Sequence, residues 1–283
     1  MSRVAATAGL RRHHPHITAL RTYVALASAG FRRYATYRQA TAAALVTNTV
    51  FGFLRCFVLL AVVAGGGTAA GYDRSRLLTF VWVGQGLIGT VQLWAPPELA
   101  DRIRTGEVVS DLLRPVDPVY HLLAADAGRA VYGALTRFVV PVAVGATVFG
   151  LATPSRPATY PLFVLSTILA TVVCFACRFL VNASAYWLLD ARGPHMAWAL
   201  ASSVLSGLYF PLWFLPEPAT LVLLFATPFP SVIQLPLDVL VERGTPAGQL
   251  GAVGLQVAWA VVMLALCRVV QRRAERKLVV QGG

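Results

Sequence analysis

Apolar residues fall in long, nearly uncharged stretches separated by short polar segments, rather than in the one-faced or alternating patterns of a water-soluble core. Six stretches, at about 41–64, 77–95, 134–151, 158–181, 196–213 and 250–268, approach the roughly 20 residues that a helix needs to cross a bilayer. They predict an all-α polytopic membrane protein with six transmembrane helices. One membrane unit covers 41–283, and a basic segment, 1–40, precedes it. A further apolar stretch, 220–240, contains Pro228, Pro230 and Pro236 and follows Pro211, Pro216 and Pro218. Proline removes a backbone donor and clashes with the preceding turn, so a straight spanning helix is not expected there. The region 214–240 is predicted to dip into the outer leaflet as a re-entrant hairpin whose irregular backbone is covered by protein. Counting it instead as a seventh span would place the C-terminal arginines outside.

The longest polar insertion is 96–123. In it Glu98, Asp101, Arg102, Arg104, Glu107, Asp111 and Arg114 alternate with Leu99, Ile103, Val108, Leu112 and Leu113. This pattern predicts a short amphipathic helix that docks one face on the membrane unit and shows the other to a cytosolic partner. Gly106 offers a break, and Pro115 with Pro118 ends the helix. In the first forty residues Leu20, Val24, Ala27, Phe31 and Tyr34 form a helical stripe surrounded by Arg21, Arg32, Arg33 and Arg38, as in a helix lying in the headgroup region. No apolar run followed by a small-residue cleavage site occurs there, so a secretory signal is not expected.

Composition sharpens the membrane reading: 57% of residues are hydrophobic, 13% are charged, and mean hydropathy is +0.66. The formal charge of +12 is almost wholly arginine, Lys277 being the single lysine. Arg3, Arg11, Arg12, Arg21, Arg32, Arg33 and Arg38 precede the first span, and Arg102, Arg104, Arg114 and Arg129 follow the second. Arg178 and Arg192 flank the fourth-to-fifth turn, while Arg268, Arg272, Arg273, Arg276 and Lys277 end the chain. The opposite side receives Arg74, Arg76, Arg156 and Arg243. The asymmetry places both termini in the cytoplasm by the positive-inside rule, and it explains the basic residues without nucleic acid.

Polar residues inside spans are candidates for a substrate pathway, because each costs free energy in hydrocarbon unless paired or hydrated. Arg55 is the sharpest: an arginine near a helix centre costs ~2.5–3.5 kcal/mol on insertion scales, so it faces protein or water. Asn48 lies two turns earlier on the same face. For Arg55 a substrate role stands beside a structural ion pair or snorkelling. Gln85, Gln92 and Asn182 either line the path or hold helices together. Arg137, one turn into the third predicted span, is expected to snorkel to the cytoplasmic end. Gly84, Gly86 and Gly89 would permit close helix approach. Cys56, Cys174, Cys177 and Cys267 are expected as buried thiols, His13, His14 and His16 as solvated histidines, and Asp190 and His195 as loop residues. No metal site and no catalytic constellation is expected. The six predicted spans contain no Asp or Glu. An ion-driven secondary transporter would be expected to place carboxylates there, so an external energy source is favoured over that alternative and over an intramembrane enzyme.

The segment from Gly106 to Pro115, the Tyr37–Arg38 start of the first span, the proline-rich region before the last span and the terminal Val-Gln-Gly-Gly283 together resemble type-2 ATP-binding-cassette exporter permeases. The likeness is to the viologen and daunorubicin-type efflux branch. That resemblance implies an N-terminal interfacial helix, a cytosolic coupling helix carrying Arg104, Gly106, Glu107, Asp111, Arg114 and Pro115, and a re-entrant element marked by Pro211, Pro216 and Pro228. It implies a second permease subunit, identical or homologous, and separate ATPase subunits in a bacterial plasma membrane. It also implies export of a hydrophobic or amphiphilic compound. ATP and magnesium would be bound by the partner ATPase, with no cofactor in this chain. Consistently, the sole lysine is followed by leucine, so no Gly-x4-Gly-Lys-Ser/Thr phosphate loop occurs.

Overall fold

A computed structural model describes residues 15–64, 69–96, 98–112, 116–188 and 190–281. The described residues are helical, with one isolated bridge pairing Ala69 and Tyr72 and no strand. Helix α1 (Pro15–Thr36) is followed after Tyr37 by α2 (Arg38–Val62). Asp73 accepts a hydrogen bond from the Arg76 N–H at 2.8 Å and so caps α3 (Arg74–Leu87), which runs on into a π-helical turn, Ile88–Gln92. Two short helices follow, α4 (Glu98–Thr105) and α5 (Val108–Leu112), separated at Gly106, whose φ of +80° favours glycine.

Asp117 caps α6 (Pro118–Gly133) and Pro118 occupies its first turn, where a missing N–H costs nothing. The helix continues through a second π segment, Ala134–Phe138, into α7 (Val139–Phe149). Then come α8 (Thr159–Ala183), α9 (Arg192–Leu205), α10 (Glu217–Ala226), α11 (Gln234–Leu240) and α12 (Pro246–Gln281).

Among the described residues four helices are long and apolar enough to cross a membrane: Arg38–Val62, Pro118–Phe149, Thr159–Tyr186 and Pro246–Lys277. They carry the first, third, fourth and sixth predicted stretches. The third begins at Pro118, well before the expected 134, because the polar residues of its first half are satisfied inside the protein. The second stretch forms α3 and the π turn, in which every residue from Leu77 to Leu87 is buried against other helices. The fifth stretch is helical only to Leu205: Gly207 turns the chain at φ +83° and Pro211 follows, so the expected helix to 213 does not form. Thus the second and fifth stretches are present as helices, but both fall short of the span criteria that the other four meet.

Helix α8 occupies the centre of the bundle. Ala170, Val173, Cys174, Ala176 and Cys177 on it are buried, and these small side chains let α12 lie close. Gln256 of α12 donates to the Ser166 carbonyl at 3.1 Å and to the Ser231 carbonyl at 2.8 Å, tying α12 to α8 and to the proline-rich region. In that region Pro211, Pro216 and Pro228 each stand immediately before a helical turn, so none interrupts a helix. The Gln234 N–H donates to the Ser206 carbonyl at 2.9 Å and its side-chain oxygen accepts from the Leu212 N–H at 2.8 Å. Outward, α2 exposes Val46, Val50, Phe51, Leu54, Phe57 and Val58, a face made for lipid or another apolar surface.

Candidate functional site

Helix α2 brings Asn48 and Arg55 to one face, two turns apart, and the α3–π segment does the same for Gln85 and Gln92. These four, with Arg137, line one cavity of about 430 Å³ to which Leu208 and Tyr209 also contribute. The two π segments meet behind it. A side chain at Gly89 would overlap Arg137, one at Gly133 would overlap the Gly89 carbonyl, and one at Gly86 would come within 2.6 Å of Phe138. Gly84 has only ordinary contact with Leu237, at 3.4 Å, so two of the three predicted close-approach glycines serve that purpose. Paired π segments facing each other widen each helix locally, a feature concentrated at functional sites.

The Asn48 side-chain amide donates to the Gln85 carbonyl at 2.7 Å. Arg55 donates one Nη to the Leu208 carbonyl, and its Nε and other Nη are buried without a partner. Both polar side-chain atoms of Gln85, Oε1 of Gln92 and Nε of Arg137 are also buried and unpartnered among the described residues. Snorkelling does not describe Arg137. Because its helix starts at Pro118, Arg137 stands far from the helix end and packs its stem on Gly89.

Asn182 is not part of this cavity. It sits at the end of α8, accepting the Ala100 N–H at 3.1 Å and donating to the Arg178 carbonyl at 2.8 Å, and so satisfies an otherwise orphaned donor in the first turn of α4. It lines a second cavity, of about 790 Å³, between α1, α4, α6 and α8. Gln92 lines both cavities, with a backbone φ of +52° and its amide donating to the Tyr34 hydroxyl at 3.3 Å.

Beside that second cavity is a buried charge cluster that sequence reasoning missed. Asp126 accepts from Arg129 at 2.8 and 3.1 Å and from Arg178 at 2.9 Å, while Arg129 also donates to the Thr90 carbonyl in the π turn at 2.9 Å. Charge asymmetry alone places the two arginines at cytosolic flanks, whereas both are buried here. The available signal was the Asp126/Arg129 spacing of one helical turn, which places the pair on one face. A long helix containing Asp126 also means that the absence of carboxylates from spanning helices does not hold for Pro118–Phe149.

The α4–α5 segment packs Leu99 and Ile103 against the core and buries Val108. Glu98 forms a two-pronged ion pair with Arg33 of α1 at 2.8 and 2.9 Å, and Arg102 pairs with the buried Asp111. Arg104 points outward, its side chain 66% exposed, with Asp101 at 3.5 Å. Glu107 accepts from Ser110 through its carbonyl at 2.8 Å. Arg114 and Pro115 lie outside the described residues.

Helix α1 contacts α6 closely through Gly30 and Gly128, where any side chain would overlap the facing Ala125 and Ala27 backbones. Its stripe is therefore divided. Phe31 stacks edge-on to Tyr132 with ring centres 5.5 Å apart, whereas Leu20 and Val24 remain exposed.

At the opposite end, Asp238 accepts from the Tyr72 hydroxyl at 2.6 Å, from the Trp213 indole at 2.8 Å and from Gln234 at 2.8 Å. Arg243 covers the Tyr72 and Trp213 rings. Nearby, Glu242 accepts from Ser155 and Thr159 hydroxyls at 2.5 and 2.8 Å and from the Ser155 and Arg156 N–H groups at 3.0 and 2.8 Å. Burial alone would raise its pKa, but these donors outweigh it and hold the carboxyl down at about 2.

Asp190 accepts from the Arg192 N–H at 2.9 Å and His195 contacts the Ala191 carbonyl at 2.8 Å, so the two do not form an acid–base pair. The four cysteines are buried free thiols. His13 and His14 lie outside the described residues.

No curated protein and no solved structure matches the chain. A family model described as "ABC-2 family transporter protein" matches residues 48–282, which include α2 from Asn48, both cavities' polar residues on α3 to α8, and the helices beyond. A multi-pass helical membrane chain matched over that length is a membrane subunit of an ABC transporter: it belongs to the ABC-2 transporter family.

Proposed function

We propose that this chain is one of two permease subunits of an ATP-driven exporter in a bacterial plasma membrane. In this reading it crosses the membrane six times, the four long helices being joined by the protein-buried α3–π segment and by α9. Both termini are cytoplasmic. The stretch from α10 to α11 is a re-entrant element in the outer leaflet. The cavity at Asn48, Arg55, Gln85 and Gln92 forms part of the pathway for a hydrophobic or amphiphilic substrate. ATP and magnesium are bound by separate ATPase subunits.

The observation that carries the reading is the way α4 is held. Its first turn is fixed to α1 by the Arg33–Glu98 pair and to α8 by Asn182, while Arg104 is left facing outward. A segment that transmits an ATPase's movement must be short, ordered and stiffly joined to the helices it pushes, and α4 meets those conditions. Arg104 and Glu107 of the α4–α5 segment, with Arg114 beyond it in the sequence, then meet the ATPase, and Asp111 holds the segment together through Arg102.

Arg104→Glu and Arg114→Glu variants test this. Both should insert and assemble normally, yet lose transport and substrate-stimulated ATP hydrolysis. Wild-type coupled transport in the Arg114→Glu complex would remove the segment from the coupling role.

A further inference from the structure

The cavity between α2 and the α3–π segment has a charge imbalance. Arg55 and Arg137 line it, and neither Asp nor Glu is among its lining residues. Elsewhere in the same bundle buried arginines are matched: Arg129 and Arg178 share Asp126. Arg55 and Arg137 form no ion pair among the described residues; Arg55 leaves its Nε and one Nη, and Arg137 its Nε, buried without an acceptor. Gln85, 1% exposed, adds an amide with neither polar atom satisfied. Nearly all buried polar groups find partners, so unmet donors converging on a cavity with room for a ligand point to an acceptor that enters from outside the chain.

The chemistry of that acceptor follows from the donors. Guanidinium groups only donate, in a planar fork that matches carboxylate or phosphate oxygens. The remaining walls, including Leu45, Phe51, Ile88 and Leu93, are apolar, and Phe51, 56% exposed, marks the open side toward the outer face of α2. A cation there would meet two unneutralised positive charges, and an uncharged chain would leave their donors unmet.

We infer that the cavity binds an amphiphile with an anionic head, carboxylate or phosphate, held between Arg55 and Arg137 with its apolar tail along Leu45, Phe51 and Ile88. This names the substrate class of the proposed pathway, and it rests on that reading only for the claim that the bound molecule is transported.

The test uses the full complex with its ATPase in phosphatidylcholine nanodiscs and three probes with one tail: a pyrene-labelled long-chain fatty acid, its methyl ester, and the matching trimethylammonium compound. The carboxylate should bind at least about tenfold more tightly than the ester, the effect expected of a charge-assisted hydrogen bond, and the ammonium probe weakest. Arg55→Gln/Arg137→Gln should reduce the carboxylate to the ester's affinity, whereas Arg55→Lys/Arg137→Lys should keep the preference for the anion, which a merely misfolded site would not. Equal binding of ester and acid, tighter binding of the ammonium probe, or an unchanged Gln/Gln variant overturns the inference. Replacing phosphatidylcholine by phosphatidylglycerol identifies the source: an arginine-dependent site displaced by that lipid takes a bilayer headgroup, and one that retains the probe takes a separate amphiphile. ATP-driven release into proteoliposomes separates the two readings. Charge-selective binding without transport refutes the pathway but keeps the ligand class, while equal transport of acid and ester keeps the pathway and refutes the ligand class.

Discussion

Replacing Asp126 by Asn tests whether the buried charge cluster holds its end of the bundle together. The substitution keeps the shape and one acceptor oxygen but removes the negative charge that Arg129 and Arg178 share, their side chains being 5% and 10% exposed. Two ion pairs are lost at once, and two guanidinium groups are left beside each other without a counter-charge. Removing one partner of a buried pair costs about 3–5 kcal/mol, most of it the penalty of the charge left behind. At roughly 2–4 °C per kcal/mol for a chain of this order of size, the midpoint should fall by about 6–20 °C. The four buried thiols supply the assay: a thiol-reactive dye in mild detergent reports their exposure as the bundle opens. Arg178→Met alone should cost less, because Asp126 keeps its contacts with Arg129 at 2.8 and 3.1 Å. Adding it to Asp126→Asn should cost no more than Asp126→Asn itself, since the second charge is then removed with the first. A midpoint for Asp126→Asn within about 1 °C of the wild type would refute the reasoning.

Glu242 gives a pH prediction at the other end. Its folded pKa of about 2 lies below the ordinary 4.5, so its contribution is fully present above about pH 4.5 and is lost as pH falls through about 2. Acid unfolding should steepen in that window, and Glu242→Gln should flatten it; a variant with an unchanged acid profile would exclude the carboxylate from that role. Gly128→Ala should detach α1, because the added methyl meets the Ala27 backbone rather than a movable side chain. Limited proteolysis should then cut between α1 and α2 in the variant and spare the wild type. Asn182→Ala should leave the Ala100 N–H without its acceptor and loosen α4, seen as faster amide exchange over Glu98–Thr105 and weaker ATPase stimulation with assembly intact.

Where the sequence was readable, the reason was periodicity and cost. Uninterrupted apolar length located four spanning helices, and the expense of polar groups in hydrocarbon singled out Asn48, Arg55, Gln85 and Gln92, which converge on one cavity. Asn182, for which the same rule allows either lining a path or holding helices together, lines the other cavity and ties α8 to the start of α4 by accepting the Ala100 N–H. The third helix was begun at 134 because Asp126 and Arg129 look like loop residues when read singly. Their cost disappears only when Arg178, far along the chain, completes the pair, and no local pattern reports that. The fifth helix was read too long since Leu208 and Leu212 continue the apolar run, while the break depends on one glycine at positive φ followed by Pro211. The π segments left no signal beyond Gly89 and Gly133, whose close approach depends on tertiary packing.

In the proposed function a separate ATPase drives this membrane subunit. The most direct measurement is purification of the chain in mild detergent from cells co-expressing its neighbouring genes, followed by identification of what co-elutes and assay of ATP hydrolysis. An ABC ATPase is expected in the complex, with hydrolysis that depends on Arg114. Recovery of this chain alone in several detergents, with no ATPase and no hydrolysis, would contradict it.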